Sequence, residues 1–410
     1  MGSHTNSDES ALLRKELEQV NDAAGNYFRV SSSFGAEQLP TASTRYELML
    51  NTVRLLQRIR GPSDSVFANF EHMAQIGALR TLLAAGVFHA IPTGGKSMSA
   101  TEISEKTGLD KEVLGGFTSS NDHVEVLLTS GEETYAHTNF SEAYLVPQLA
   151  ALFTLMADEF LIPEVKNHEF LAQDNWKNRI TVRHNPYAYA NGCEGKTMFE
   201  FLSGIPDRFT RFNEAMVPQH SGQVTIGIYP FAQELAKDAE DNRVSLIDIG
   251  GGRGHILRQI KNSCSGVKGR FILQDQAGVI AEAKDELSRD GIDAMEHDFF
   301  QPQPVKGALV YYLRRIFHDW PDEPESKSIL QNLATSMDRE KSRILISEFI
   351  VPEVGCGMLT AWMDQAMMTF GGTERTEKEF ARLLDISGLK LVKVWKAPGT
   401  PMGVVEARLK

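Results

Sequence analysis

From about residue 240 onward the chain alternates short apolar runs with helical patterns, and no other feature narrows its fold as much. SLIDIG, FILQD, ALVYYLR and RILISEFIV read as buried strands, while HILRQIKN, VIAEAKDELS, KSILQNLATSM and ARLLDIS read as the helices between them. Parallel strands need crossovers long enough to hold a helix, so this order predicts βαβ units and an α/β domain on a mostly parallel sheet. The last two runs, LKLVKVWKA and VVEARL, have only PGTPMG between them. A turn there makes an antiparallel hairpin at the end of the sheet.

The preceding residues have a different texture. ALLRKELEQVNDAAGNYF and ASTRYELMLNTVRLLQRIR, separated by SSSFG, predict amphipathic helices, followed by the largely apolar FANFEHMAQIGALRTLLAAGVFHAI. In MSATEISEKTGLDKEVL, Ser99 or Thr101 can cap a short helix that stops at Gly108; a second helix and the β-like EVLLTSGEETYAHT complete a winged-helix pattern. Three regions are expected: a helical winged-helix domain over 1–150, a helical linker and substrate lid over 151–225, and the α/β domain over 226–410.

Charge limits the partners. With 54 acidic against 42 basic residues the net charge is −12, so a nucleic-acid partner is not expected, and the winged helix needs another use. Cys193, Cys264 and Cys356 lie far apart with no CxxC pair, which suits a reducing compartment and gives no disulfide framework or zinc knuckle; no metal is expected. MGSHTNSDES lacks the order of a signal peptide, and no run of about 18 apolar residues occurs. The expectation is a cytoplasmic protein without a membrane partner.

The strongest chemical signal is Asp248-Ile249-Gly250-Gly251-Gly252-Arg253-Gly254, directly after a strand and opening a helix at His255. Glycines there allow a tight turn and close approach of backbone N–H groups to a ligand. The G-x-G-x-G spacing departs from the dinucleotide G-x-G-x-x-G, and Asp248, two places before the first glycine, suits a cationic amine. Asp275 ends the next strand where a carboxylate takes ribose hydroxyls, and Asp298 follows a third strand, placed to accept from an adenine amino group with Phe299 beside the ring. Acids at the carboxyl ends of three successive strands coincide with the crevice where open α/β sheets bind ligands. Further on, His318 in YYLRRIFHDWPDE emerges after another strand, where titration near the ordinary pH of about 6.5 makes it a usable base. Glu348 and Glu374 are candidate acids to orient it.

Together LIDIGGGRGH, LQD, HDFF, YYLRRIFHDWPDE, ISEFIVP and GGTERTEKEF resemble the plant and fungal small-molecule O-methyltransferases that use S-adenosylmethionine. The resemblance implies a Rossmann-like methyltransferase domain and a winged-helix dimerisation domain, hence a homodimer. It places the cofactor on Gly250, Gly252, Asp275 and Asp298, with Arg314 as the basic residue near the adenosine. His318 matches the base that deprotonates the acceptor hydroxyl, flanked by Glu348 and Glu374. Substrate contacts fall on the helix before GGTERT, with Met363, Asp364, Met367, Met368 and Thr369 as candidates. Two departures stand out: Gln276-Ala277 replaces Leu-Pro after LQD, and LGGFTSSNDHVEVLLT, with Gly115 and Gly116, is expected to shorten the second helix of the winged module.

A fungal subgroup of the same fold uses bound S-adenosylmethionine without transferring its methyl, in dehydrations and pericyclic ring closures of pyridone intermediates. His137 in YAHT matches a pocket histidine of that subgroup. Two readings stay open: an O-methyltransferase acting on an aromatic or polyketide-like hydroxyl of secondary metabolism, and a pericyclase.

Overall fold

A computed structural model describes residues 6–34, 39–119, 127–131, 133–216, 226–398 and 400–410. These fall into two compact units. One comprises the chain to Arg29, Arg45–Glu159 and Thr210–Met216; the other comprises Val30–Thr44, Phe160–Phe209 and the chain from 217 to the C-terminus. Of the span expected as linker and lid, residues 151–159 and 210–216 fall in the first unit and 160–209 in the second. In the second-unit part, Asn185 donates to the Thr181 and Phe370 carbonyls and accepts from Ala188 N.

The first unit opens with helix Asn6–Ser31 up to Arg29 and helix Leu39–Ala84 from Arg45 onward. The second of these is kinked where Gly61, at φ 68°, precedes Pro62, which cannot donate to the helical ladder. The winged module follows: β1 (Ser97–Ser99), helices Ala100–Thr107 and Lys111–Ser119, β2 (Leu127–Gly131) and β3 (Thr134–His137), with β3 central and antiparallel to both neighbours. Ser99 caps its helix through a reciprocal box with Glu102, and Gly108 ends it in the left-handed conformation. Helix Lys111–Ser119 runs through Gly115 and Gly116; the rest of the atypical stretch, 120–122, lies outside the described residues. Leu82, Val87, Phe88, Ile103 and Leu114 form the core beneath.

The second unit is an eight-stranded sheet. Its strands are β4 (Val244–Ile249), β5 (Arg270–Asp275), β6 (Asp293–Glu296), β7 (Val310–Arg314), β8 (Arg343–Val351), β9 (Arg375–Thr376), β10 (Leu389–Lys396) and β11 (Met402–Leu409). The spatial order is β10-β11-β8-β7-β4-β5-β6, with β9 alongside β8. Pairs among β4 to β8 are parallel, and β11 pairs antiparallel with both β8 and β10, which is the expected C-terminal hairpin. Every residue of β4 is buried, as a central strand covered on both faces requires. The chain runs outward from β4 through β5 to β6, then returns to β7 on the other side of β4. That reversal opens a crevice at the carboxyl ends of β4 and β7.

Among the described residues no single helix is long and apolar enough to cross a membrane. The three cysteines are free thiols, two of them buried.

Candidate active site

The glycine turn sits at this crevice. Gly250, Gly252 and Gly254 have φ of 69°, 59° and 77°, which residues with a Cβ rarely adopt. Gly251 is required by space instead, since a Cβ there would meet the Asp248 carboxylate and lie 2.5 Å from Leu273 Cδ1. Gly254 caps helix His255–Ser263 and lets it pack against Leu287.

Three of the cofactor candidates converge on this turn. Asp275 Oδ2 accepts from Gly252 N at 2.8 Å and Oδ1 from Gln276 N at 2.7 Å, so the carboxylate spans the tips of β4 and β5. Asp248 is buried, and its Oδ2 has no hydrogen-bond partner among the described residues. Burial pushes its carboxyl up to about 7, against the pull of the Arg314 guanidinium. Arg314 is itself held below the ordinary guanidinium value by burial. Asp298 is exposed, with Oδ1 accepting from Phe300 N and Oδ2 from the Gln301 amide, and Phe299 is half-buried against Phe300 and Trp320. A turn lined by N–H groups, with an orphaned buried carboxylate at its base, fits a ligand carrying a cationic amine and vicinal hydroxyls.

His318 lies on a short turn, Phe317–Asp319, just beyond β7. It is buried, and its Nδ1 is 3.0 Å from Glu374 Oε1. Nε2 is 3.3 Å from Asp319 Oδ1. Burial, reinforced by the positive charge of Arg315, pushes the imidazole down to about 3, well below the ordinary value expected from sequence. Burial drives the carboxyls the other way: Glu374 rises to about 7, Asp319 well above its usual range, and Glu348 upward. A neutral imidazole with Nδ1–H donating to Glu374 leaves Nε2 as the acceptor.

The two glutamates divide the work. Only Glu374 hydrogen-bonds the ring. Glu348 Oε1 instead accepts from the backbone N–H groups of Ile316 and Phe317, at 2.8 and 2.9 Å, gripping the turn from β8. Arg375 grips its other end, donating to the carbonyls of Phe317 and Trp320 at 2.6 Å each and to Asp322 at 2.8 Å. Thr373 N donates to His318 O at 2.8 Å. His318, Glu348 and Glu374 bring ligand-type atoms within 4.8 Å of one another. Within this cluster Glu374 Oε1 is paired with His318 Nδ1 and Glu348 Oε1 with two backbone amides, while Glu348 Oε2 and Glu374 Oε2 have no hydrogen-bond partner among the described residues.

Two candidates have their polar atoms engaged within the protein. His137 is a core histidine of the first unit, with Nδ1 2.9 Å from Ser141 Oγ and Nε2 2.9 Å from the Phe88 carbonyl, so both ring nitrogens are taken. Thr369 is fully buried and ends its helix, Oγ1 donating to Ala366 O at 2.6 Å. Of the remaining residues on helix Met358–Met368, Met363 and Met367 are buried and Met368 is half-buried. Asp364 receives Glu374 N at 2.9 Å, which fixes the dyad's carboxylate. Arg315, Asp319 and Arg375 belong to the site and were not singled out by sequence reasoning; their place inside RRIFHD and GGTER was the available signal.

The family model for the O-methyltransferase domain matches residues 178–390, covering the glycine turn, the His318 turn and Glu374. The chain belongs to the O-methyltransferase family. O-methyltransferase kntB of Aspergillus niger is 35% identical over 408 residues, 98% of each chain. A crystal structure of OxaC in complex with SAH and oxaline superposes with a TM-score of 0.88 at 43% identity, covering 98% of this chain and all of that one. LepI in complex with SAM, at 24% identity and a TM-score of 0.85 over 96% of this chain and all of that one, shares the O-methyltransferase fold alone.

Proposed function

We propose that the chain is an S-adenosylmethionine-dependent O-methyltransferase acting on a hydroxyl of an aromatic or polyketide-like secondary metabolite. The observation that carries this reading is the buried His318 with its Nδ1 tied to Glu374, leaving Nε2 for an acceptor proton. OxaC, solved with SAH and oxaline, supports both the cofactor and a small-molecule acceptor. Likeness to LepI extends to fold only.

Gly250, Gly252, Asp248, Asp275, Asp298, Phe299 and Arg314 would hold S-adenosylmethionine, which supplies an electrophilic methyl on a sulfonium when bound. The protein's own residues handle the proton. A phenol near pKa 10 facing an imidazole that burial holds below its ordinary value makes full prior deprotonation uphill. His318 Nε2 therefore takes the proton as the oxygen becomes the nucleophile, not before, and Glu374 stabilises the imidazolium through Nδ1–H. Positioning and exclusion of water contribute most of the remaining rate.

We infer a homodimer formed through the first unit. Val66, Phe70 and Met73 share one helix face at i, i+4 and i+7 and are all more than half exposed, as are nearby Phe67 and Ile59. An exposed apolar stripe of this extent marks an interaction surface. Free thiols suit a reducing, cytoplasmic setting.

The test is transfer of a labelled methyl group from S-adenosylmethionine to a panel of phenols and hydroxypyridones. Label in product with wild-type protein and not with His318→Ala supports the reading. Turnover of a substrate with the label left on the cofactor contradicts it.

A further inference from the structure

Arg315 stands between β7 and the His318 turn with φ 57°, a left-handed conformation that a long side chain rarely adopts. Its N–H is tied to Ser347 O at 3.1 Å, which fixes the kink against β8. The kink re-aims the side chain. The Arg315 guanidinium lies 4.5 Å over the Phe349 ring, and its Nη1 is 3.5 Å from Glu374 Oε1. That oxygen is the one that pairs with His318 Nδ1. Arg314, one residue earlier, lies instead in the field of Asp248 and Tyr312. Two consecutive arginines thus serve two different acids. Strained backbone kept at such a point indicates a role beyond packing.

We propose that Arg315 is a positioning residue that holds Glu374 as an anion against His318, and so fixes the imidazole in the tautomer whose Nε2 is the base. Cation–π contact with Phe349 immobilises the guanidinium, and one carboxylate oxygen then receives both the arginine and the histidine. The electrostatics agree in direction: Arg315 is the largest influence lowering Glu374 after burial raises it, and it opposes protonation of His318. The other charged groups around the pair are Asp319 on the same turn, Glu348 on β8, Arg375 on β9 and Asp364 on helix Met358–Met368. Arg375, the one cation among these four, bonds Asp322 and the Phe317 and Trp320 carbonyls, whereas Arg315 bonds Glu374 Oε1.

This proposal rests on His318 being the base, so the experiment avoids turnover. His318 is followed by NMR in the full protein labelled at histidine carbon, with its signal assigned by loss in His318→Gln. Arg315→Asn is the informative variant, because asparagine accepts left-handed backbone while removing the charge. Without Arg315 both Glu374 and His318 bind protons more readily, so the pair's protonation should move to higher pH by about one unit, tenfold in proton affinity. Arg315→Lys keeps a cation and should move it by less than half as much. An unshifted titration in Arg315→Asn, or a shift in Arg315→Lys equal to that in Arg315→Asn, overturns the proposal. Failure of wild-type methyl transfer would instead count against the O-methyltransferase reading and leave this titration result standing.

Discussion

Glu374 Oε1 lies 3.0 Å from His318 Nδ1, whereas Glu348 spends its Oε1 on the amides of Ile316 and Phe317. One acid orients the ring and the other builds the turn that carries it. The two should therefore fail differently when changed.

Replacing His318 by alanine should slow methyl transfer by about 10²–10⁴, the usual worth of a positioned base, with binding of S-adenosylhomocysteine unchanged. Glu374→Gln should lower kcat about tenfold or more through loss of the orienting carboxylate. Glu348→Gln, which alters the carboxyl that accepts from two backbone N–H groups, should cost about 1–3 kcal/mol of stability. Thermal unfolding beside kcat separates the cases. Equal loss of kcat with no change in Tm for both glutamate variants would contradict the division of roles.

For the cofactor turn, Asp275→Ala should weaken S-adenosylhomocysteine by about 1.5–3 kcal/mol, the range for hydrogen bonds to charged groups. Titration calorimetry measures it directly. Unchanged affinity removes Asp275 from the site.

Asp248 gives a pH signature. Its carboxyl, pushed up to about 7 by burial, is protonated in the folded chain and ionised in the unfolded one between about pH 4 and 7. Folded stability from this group therefore declines as pH rises through that window. A cationic amine bound beside Asp248 favours the anion and lowers its pKa, so binding near pH 7 should expel part of a proton. Calorimetric enthalpies at pH 7 should then depend on the ionisation enthalpy of the buffer, and Asp248→Asn should abolish that dependence. An equal dependence in wild type and variant would exclude Asp248 from the amine site.

The α/β domain was legible because buried parallel strands are continuous apolar runs and their crossovers keep helical periodicity. The glycine turn and its acids were legible for a similar reason, since they follow those strands directly. What escaped the sequence involves partners that composition does not display. His137 and Thr369 are satisfied by backbone carbonyls, Glu348 by backbone amides, and Arg315 is aimed by a left-handed residue with no glycine to announce it.

The apolar stripe on helix Leu39–Ala84 should hold two copies together. Sedimentation at micromolar concentration should give a dimer, and Phe67→Glu combined with Phe70→Glu should shift it toward monomer. A monomeric wild type would contradict the homodimer.

The central claim is that a methyl group moves. Mass spectrometry of cofactor and substrate after many turnovers with a phenol or hydroxypyridone acceptor tests it most directly. The account predicts one S-adenosylhomocysteine formed for each product heavier by one methyl. Converted substrate beside intact S-adenosylmethionine would contradict it and show the fold at work in a reaction without group transfer.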